Sequence, residues 1–145
     1  MQDNACVFCR IFSGKLPAKI VAQTDNAIAV LDAFPLAAGH TLIISKSHSA
    51  KIQQLDQGEV QSIFELVRRV AEGVEKATEV PATTIAIHNG REAGQEIPHV
   101  HVHIIPRTQG DGAGPVHSMF RNRPESAGLD MDSICSEIVS HIPRN

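Results

Sequence analysis

The sequence predicts an α+β domain: an antiparallel five-stranded sheet with one long central helix and a short C-terminal helix. Three observations carry that expectation. An apolar run between Pro98 and Pro106 alternates strictly, two short strands flank the turn Thr24-Asp25-Asn26, and a long central stretch repeats apolar residues at spacings of three and four. Strands in runs, with helices set between hairpin-like pairs, favour an antiparallel sheet with helices packed beside it.

Taken in order, Cys6-Val7-Phe8-Cys9-Arg10-Ile11 comes first, and Gly14 and Pro17 interrupt the chain soon after. Lys19 to Gln23 and Ala27 to Leu31 form a pair of strands around the turn. Asp32 ends the second of them, ahead of Phe34-Pro35. Gly39-His40 precedes a third strand, Thr41 to Ile44, and Ser45-Lys46-Ser47-His48 leaves it. Asp56-Gln57-Gly58-Glu59 has the form of a capping box. Val60, Ile63, Phe64, Val67, Val70, Ala71 and Val74 then trace the apolar stripe of an amphipathic helix ending before Pro81. Thr83 to His88 is the fourth strand. The loop Asn89 to Gln95 feeds the fifth, where Val100, Val102 and Ile104 face a core and His99, His101 and His103 share the other face, each about 6.6 Å from the next. The prolines bracket this strand. Thr108 to Pro124 is a long Gly/Pro-containing loop, and Met131, Ile134, Cys135, Ile138, Val139 and Ile142 recur with helical spacing, placing Cys135 in the core.

With 145 residues, of which 42% are apolar, the chain supports one domain over 1–145, with 108–145 a C-terminal loop and helix extension. Tryptophan and tyrosine are missing, so the core is aliphatic with a few phenylalanines. A net charge of -3, with dispersed cations, argues against nucleic acid as a partner. No apolar run reaches membrane-spanning length, and Met1-Gln2-Asp3-Asn4 lacks an export-signal pattern. Three cysteines, an odd number, then point to a reducing cytoplasm.

An H-x-H-x-H run has a chance probability on the order of 2% given eight histidines. A merely solvated face is served as well by lysine, glutamate or threonine. Neutral imidazole adds a nucleophilic nitrogen, a proton carrier and a metal ligand. Gly90 and Gly94 let backbone approach a ligand, and Asn89 and Gln95 offer neutral donors suited to phosphate oxygens. These features suit attack by imidazole on phosphorus. His101, flanked on both sides, is the natural nucleophile, with His99 and His103 donating to the non-bridging oxygens. A competing reading makes His99, His101 and His103 joint ligands of one catalytic zinc. Cys6-x-x-Cys9 lacks the preceding strand of a redox pair. It is half of a tetrahedral zinc site whose other half must be histidine, or else a pair of buried thiols.

The run His99-Val100-His101-Val102-His103-Ile104-Ile105 resembles the H-φ-H-φ-H-φ-φ signature (φ apolar) of the histidine-triad superfamily of nucleotide hydrolases and transferases. The resemblance extends to Ile11 through Ala18, Leu31-Asp32, Gly39-His40-Thr41-Leu42, Lys46-Ser47-His48 and Ala93-Gly94-Gln95, covering about residues 6 to 107 in order. It implies a homodimer that binds a purine nucleotide beside the triad. It also implies nucleotidylation of His101 at the α-phosphate, release of the nucleoside monophosphate by water, phosphate contacts from His103 and Asn89, Gln95 in the site, and Asp32 on the ribose hydroxyls. Bacterial-type members imply a structural zinc on Cys6, Cys9, His48 and His99. The implied substrates are purine nucleoside phosphoramidates or AMP conjugates, with dinucleoside polyphosphates as the nearest competitor and a nucleotide-binding regulatory module as a third reading. Glu96 departs from the serine common in the phosphoramidase branch, and the segment 108–124 departs from its short tail. By the same residue-level reading His40 is structural, and His88, His117 and His141 are incidental.

Overall fold

The structure is a computed structural model describing residues 3–144. The export-signal reading therefore falls partly on Met1 and Gln2, outside the described residues. The chain divides between Asp111 and Gly112 into two compact units.

In the first unit the order is α1 (Val7–Phe12), β1 (Ile20–Gln23), β2 (Ala27–Leu31), β3 (Thr41–Ser45), α2 (Gln57–Thr78), β4 (Ala82–Ala86) and β5 (His101–Arg107). The five strands form one antiparallel sheet in the order β1-β2-β3-β5-β4. Residues paired across strands point to the same face. Ile28 pairs with Ile44 and Val30 with Leu42, while Ile44 pairs with His101 and Leu42 with His103. One face of the sheet therefore carries Ile28, Val30, Leu42, Ile44 and two histidines. The other carries Ala27, Ala29, Ile43, Val102 and Ile104, packed on Ile63, Leu66, Val67, Val70 and Val74 of α2.

Both sides of the sheet are covered, because α1 lays Phe8 and Cys9 over the aliphatic part of the histidine face. His99 is consequently 0% exposed and His101 8%. A six-residue helix has too few turns to show a period, which is why it escapes a pattern-based reading.

Two further details differ from expectation. His99 lies just before β5, and Pro106 lies inside it. Proline is tolerated there because β3 pairs with β5 only as far as Ile104, so beyond it β5 has β4 alone as neighbour. At the start of α2, Asp56 accepts from Glu59 N at 2.8 Å as a cap should, but Glu59 does not reach back to the cap. Its Oε1 accepts from Ser47 N at 2.8 Å and ties the β3 exit to the helix.

The second unit holds 3₁₀ turns at Val116–Met119 and Ser126–Gly128, then α3 (Met131–His141), capped by Asp130. All its described residues are exposed. Cys135 is thus exposed and not in a core: α3 carries its apolar stripe unburied. His117 and His141 are exposed on this unit as well. Among the described residues no helix is long and apolar enough to cross a membrane.

Candidate active site

The tautomers of the triad follow from its hydrogen-bond partners. His101 Nδ1 lies 2.7 Å from the His99 carbonyl oxygen. A carbonyl only accepts, so Nδ1 holds the proton and Nε2 keeps its lone pair. His99 Nε2 lies 2.8 Å from the Ser45 carbonyl oxygen, so here Nε2 holds the proton and Nδ1 keeps its lone pair. Leu36 N donates to His40 Nδ1 at 3.1 Å, leaving His40 to donate from Nε2 to His103 Nδ1 at 2.9 Å. His103 therefore presents Nε2–H. Three neighbouring imidazoles thus present three different groups: a buried Nδ1 lone pair on His99, an Nε2 lone pair on His101 and an Nε2–H on His103, and His99, expected to donate to a phosphate oxygen, spends its N–H on the Ser45 carbonyl instead.

Around them stand side chains that a local sequence reading undervalues. Phe8 sets the edge of its ring against His101 at a centroid distance of 4.8 Å, which fixes the ring plane. His40, expected to be merely structural, holds His103 in one tautomer, and Asp32 Oδ2 lies 3.6 Å from His40 Nε2. Asp32 Oδ1 accepts from Phe34 N at 2.9 Å. His88, expected to be incidental, lies with its ring 5.5 Å from that of His103. The signal for it was the strand alternation: Ala86 pairs with His103, so the residue two further on emerges on the histidine face.

Burial favours the neutral form of His101, His103 and His40. Desolvation lowers the pKa of His101, against the stabilising effect of the His99 carbonyl. His103 is pushed down to about 4, first by desolvation and then by His101, His40 and His88, with Asp32 opposing. Desolvation likewise lowers His40, against Asp32. A neutral His101 with an open Nε2 can attack an electrophilic phosphorus, and His103 Nε2–H can meet an oxygen on which charge accumulates.

The loop after β4 is tightly organised. Gly90 is buried at φ +120, and its carbonyl accepts from Ala93 N and Gln95 N. Asn89 Oδ1 accepts from Ile52 N at 2.8 Å and its Nδ2 donates to Gln53 Oε1, while Gln95 Nε2 donates to the Ala50 carbonyl at 2.6 Å. Both amides therefore clasp the segment that follows β3. Glu96 is exposed.

Cys6, Cys9, His48 and His99 converge, their four ligand atoms all within 4.8 Å of one another. Cys6 Sγ is 3.4 Å from His99 Nδ1, Cys9 Sγ is 3.4 Å from His48 Nδ1 and 3.6 Å from His99 Nδ1. A tetrahedral zinc with ordinary Zn–S and Zn–N lengths sets sulfur and nitrogen about 3.6 Å apart, so the set fits. The Ser45 carbonyl on His99 Nε2 is the outer contact that metal-bound imidazoles favour. A metal here would pin α1 and the β3 exit to the entrance of β5, a structural task separate from the nucleophile. The three triad histidines, by contrast, do not converge: no candidate metal group among the described residues contains His101, and His103 groups with Asp32 and His40 instead.

A HIT domain matches residues 13–110. The adenosine 5'-monophosphoramidase hnt1 of Schizosaccharomyces pombe is 34% identical over 135 residues, spanning 92% of this chain and 98% of that protein. The adenylylsulfatase HINT3 of Arabidopsis thaliana is 33% identical over 143 residues, 99% of this chain and 70% of that protein. Among solved structures, a Zn-bound histidine triad family protein from Mycobacterium smegmatis superposes with a TM-score of 0.71 at 32% identity, covering 83% of this chain and 84% of the other. A triad wired as described, on a sheet shared with such relatives, has one reading: the chain belongs to the HIT family.

Proposed function

We propose that the protein hydrolyses purine nucleoside phosphoramidates or related AMP conjugates through a covalent nucleotidyl-histidine on His101, releasing the nucleoside monophosphate. The observation that carries this reading is the His101 Nδ1–H bond to the His99 carbonyl at 2.7 Å, which leaves Nε2 free to attack. His101 Nε2 forms a bond to the α-phosphorus as the bond to the leaving group breaks, and water then displaces the imidazole. His103 and His99 serve the reaction differently. His103 Nε2–H steadies a non-bridging oxygen, while His99 holds the strand entrance and supplies the carbonyl that orients His101. Asp32 takes the ribose hydroxyls, and Asn89 and Gln95 shape the phosphate loop. The relatives named as an adenosine 5'-monophosphoramidase and an adenylylsulfatase support an adenylyl substrate. A structural zinc on Cys6, Cys9, His48 and His99, a homodimeric assembly and a reducing cytoplasmic setting complete the proposal, the last consistent with three free cysteines.

The test is turnover of an adenosine phosphoramidate beside that of a diadenosine polyphosphate, with His101→Ala as control. Preferential cleavage of the phosphoramidate, abolished in the variant, is expected. Preference for the polyphosphate redirects the substrate class, nucleotide binding without turnover of either makes the site a binding module, and full activity in the variant removes the mechanism.

A further inference from the structure

The proposed reaction needs a proton for the leaving group, and the residues already assigned do not provide one. His101 is the attacker. His103 has Nδ1 committed to His40, so surrendering Nε2–H would leave an imidazolate, and its burial among other imidazoles opposes a second proton. Asp32 already accepts from Phe34 N and lies beside His40, an acceptor only.

His88 is placed differently. It follows β4 by two residues, and the pairing of Ala86 with His103 brings it onto the histidine face. Its ring lies 5.5 Å from that of His103, inclined by 54°, and both His101 and His103 feel it electrostatically. Neither of its ring nitrogens has a hydrogen-bond partner among the described residues, whereas His99, His101, His103 and His40 are each tied to a neighbour. It is half-buried and therefore reached by water. The β5 groups that interact with it are His103, whose ring it adjoins, and His101.

We infer that His88 is the acid–base residue of the site, donating a proton to the leaving atom and later taking one from water. The inference rests on His101 being the nucleophile. In the first step His101 Nε2 bonds to phosphorus, the bond from phosphorus to the leaving nitrogen or oxygen breaks, and the electron pair left on that atom takes the proton of the His88 imidazolium. In the second step neutral His88 takes a proton from water as the water oxygen bonds to phosphorus and the bond to His101 breaks. The imidazolium is thereby restored. Substrates with a basic leaving group, such as amines, depend on His88, whereas those releasing a stable anion do not.

The experiment compares wild type, His88→Ala and His88→Gln in single-turnover transfer to His101 from two substrates: an alkylamine phosphoramidate of AMP and the p-nitrophenyl ester of AMP. Both variants are expected to lose at least about 100-fold on the phosphoramidate, the scale of general acid catalysis, and less than about fivefold in the nitrophenolate burst. Glutamine keeps a hydrogen bond yet transfers no proton, so its failure to rescue separates an acid from a phosphate contact, and added imidazole should restore His88→Ala. Equal losses on both substrates, a glutamine variant at wild-type rate, or no loss at all would overturn the inference. A wild type without any nitrophenolate burst instead refutes the covalent reading on which it rests.

Discussion

Acidification tests the wiring of the triad through a single ring. The folded protein holds the pKa of His103 at about 4 against an ordinary 6.5, because burial and three neighbouring imidazoles disfavour the charged form. The folded value is the lower one, so the unfolded chain takes up the proton first as pH falls. Stability contributed by neutral His103 is complete above about pH 6.5 and disappears progressively towards pH 4. Between pH 7.5 and pH 5 the linkage relation gives a loss of about 2 kcal/mol, which partial exposure of the ring trims to between about 1 and 2 kcal/mol. Urea unfolding of wild type and His103→Gln at both pH values isolates this contribution. Glutamine can still accept from His40, and acid release of any metal affects both proteins alike. Wild type should lose about 1–2 kcal/mol more than the variant over this interval. Equal losses in the two proteins would show that His103 is not held neutral by its surroundings and would refute the reasoning.

Three other perturbations act on the supports of the site. Purified protein should contain one zinc per chain, and Cys6→Ser with Cys9→Ser should remove it by metal analysis and lower the melting temperature; an unchanged metal content would displace the site. Gly39→Ala should destabilise by about 3 kcal/mol, since Gly39 sits at φ +94 with its Cβ position 2.6 Å from Thr78 Cγ2, and the melting temperature should fall roughly 6–12 °C. Phe8→Ala removes a ring that is 5% exposed and braces His101, so it should cost about 3–5 kcal/mol and lower kcat more than it raises KM.

Much of this architecture is written locally. The alternation of valines with histidines declares a strand and its faces, and the stripe from Val60 to Val74 declares α2, because each repeats over several periods. What escaped depends on contacts between distant segments. Cys9 and His99 are 90 positions apart, and only the position of α1 on the sheet brings them within 3.6 Å. The contact of His40 and the placement of His88 rest on where their strand ends lie relative to His103, which no single segment encodes. Asn89 and Gln95 sit in the expected loop, yet their amides answer to the backbone after β3, a partner invisible in a loop read alone. Cys135 lies on an apolar stripe, but a stripe reports a preference for burial and not the presence of a covering element.

The claim that His101 attacks phosphorus is tested most directly by rapid, acid-free quenching of the protein with an adenosine phosphoramidate, followed by mass analysis of its peptides. An adenylyl group should appear on His101, form and decay at rates matching turnover, and be missing in His101→Ala. Turnover without any adduct, or an adduct carried by another residue, would contradict the claim.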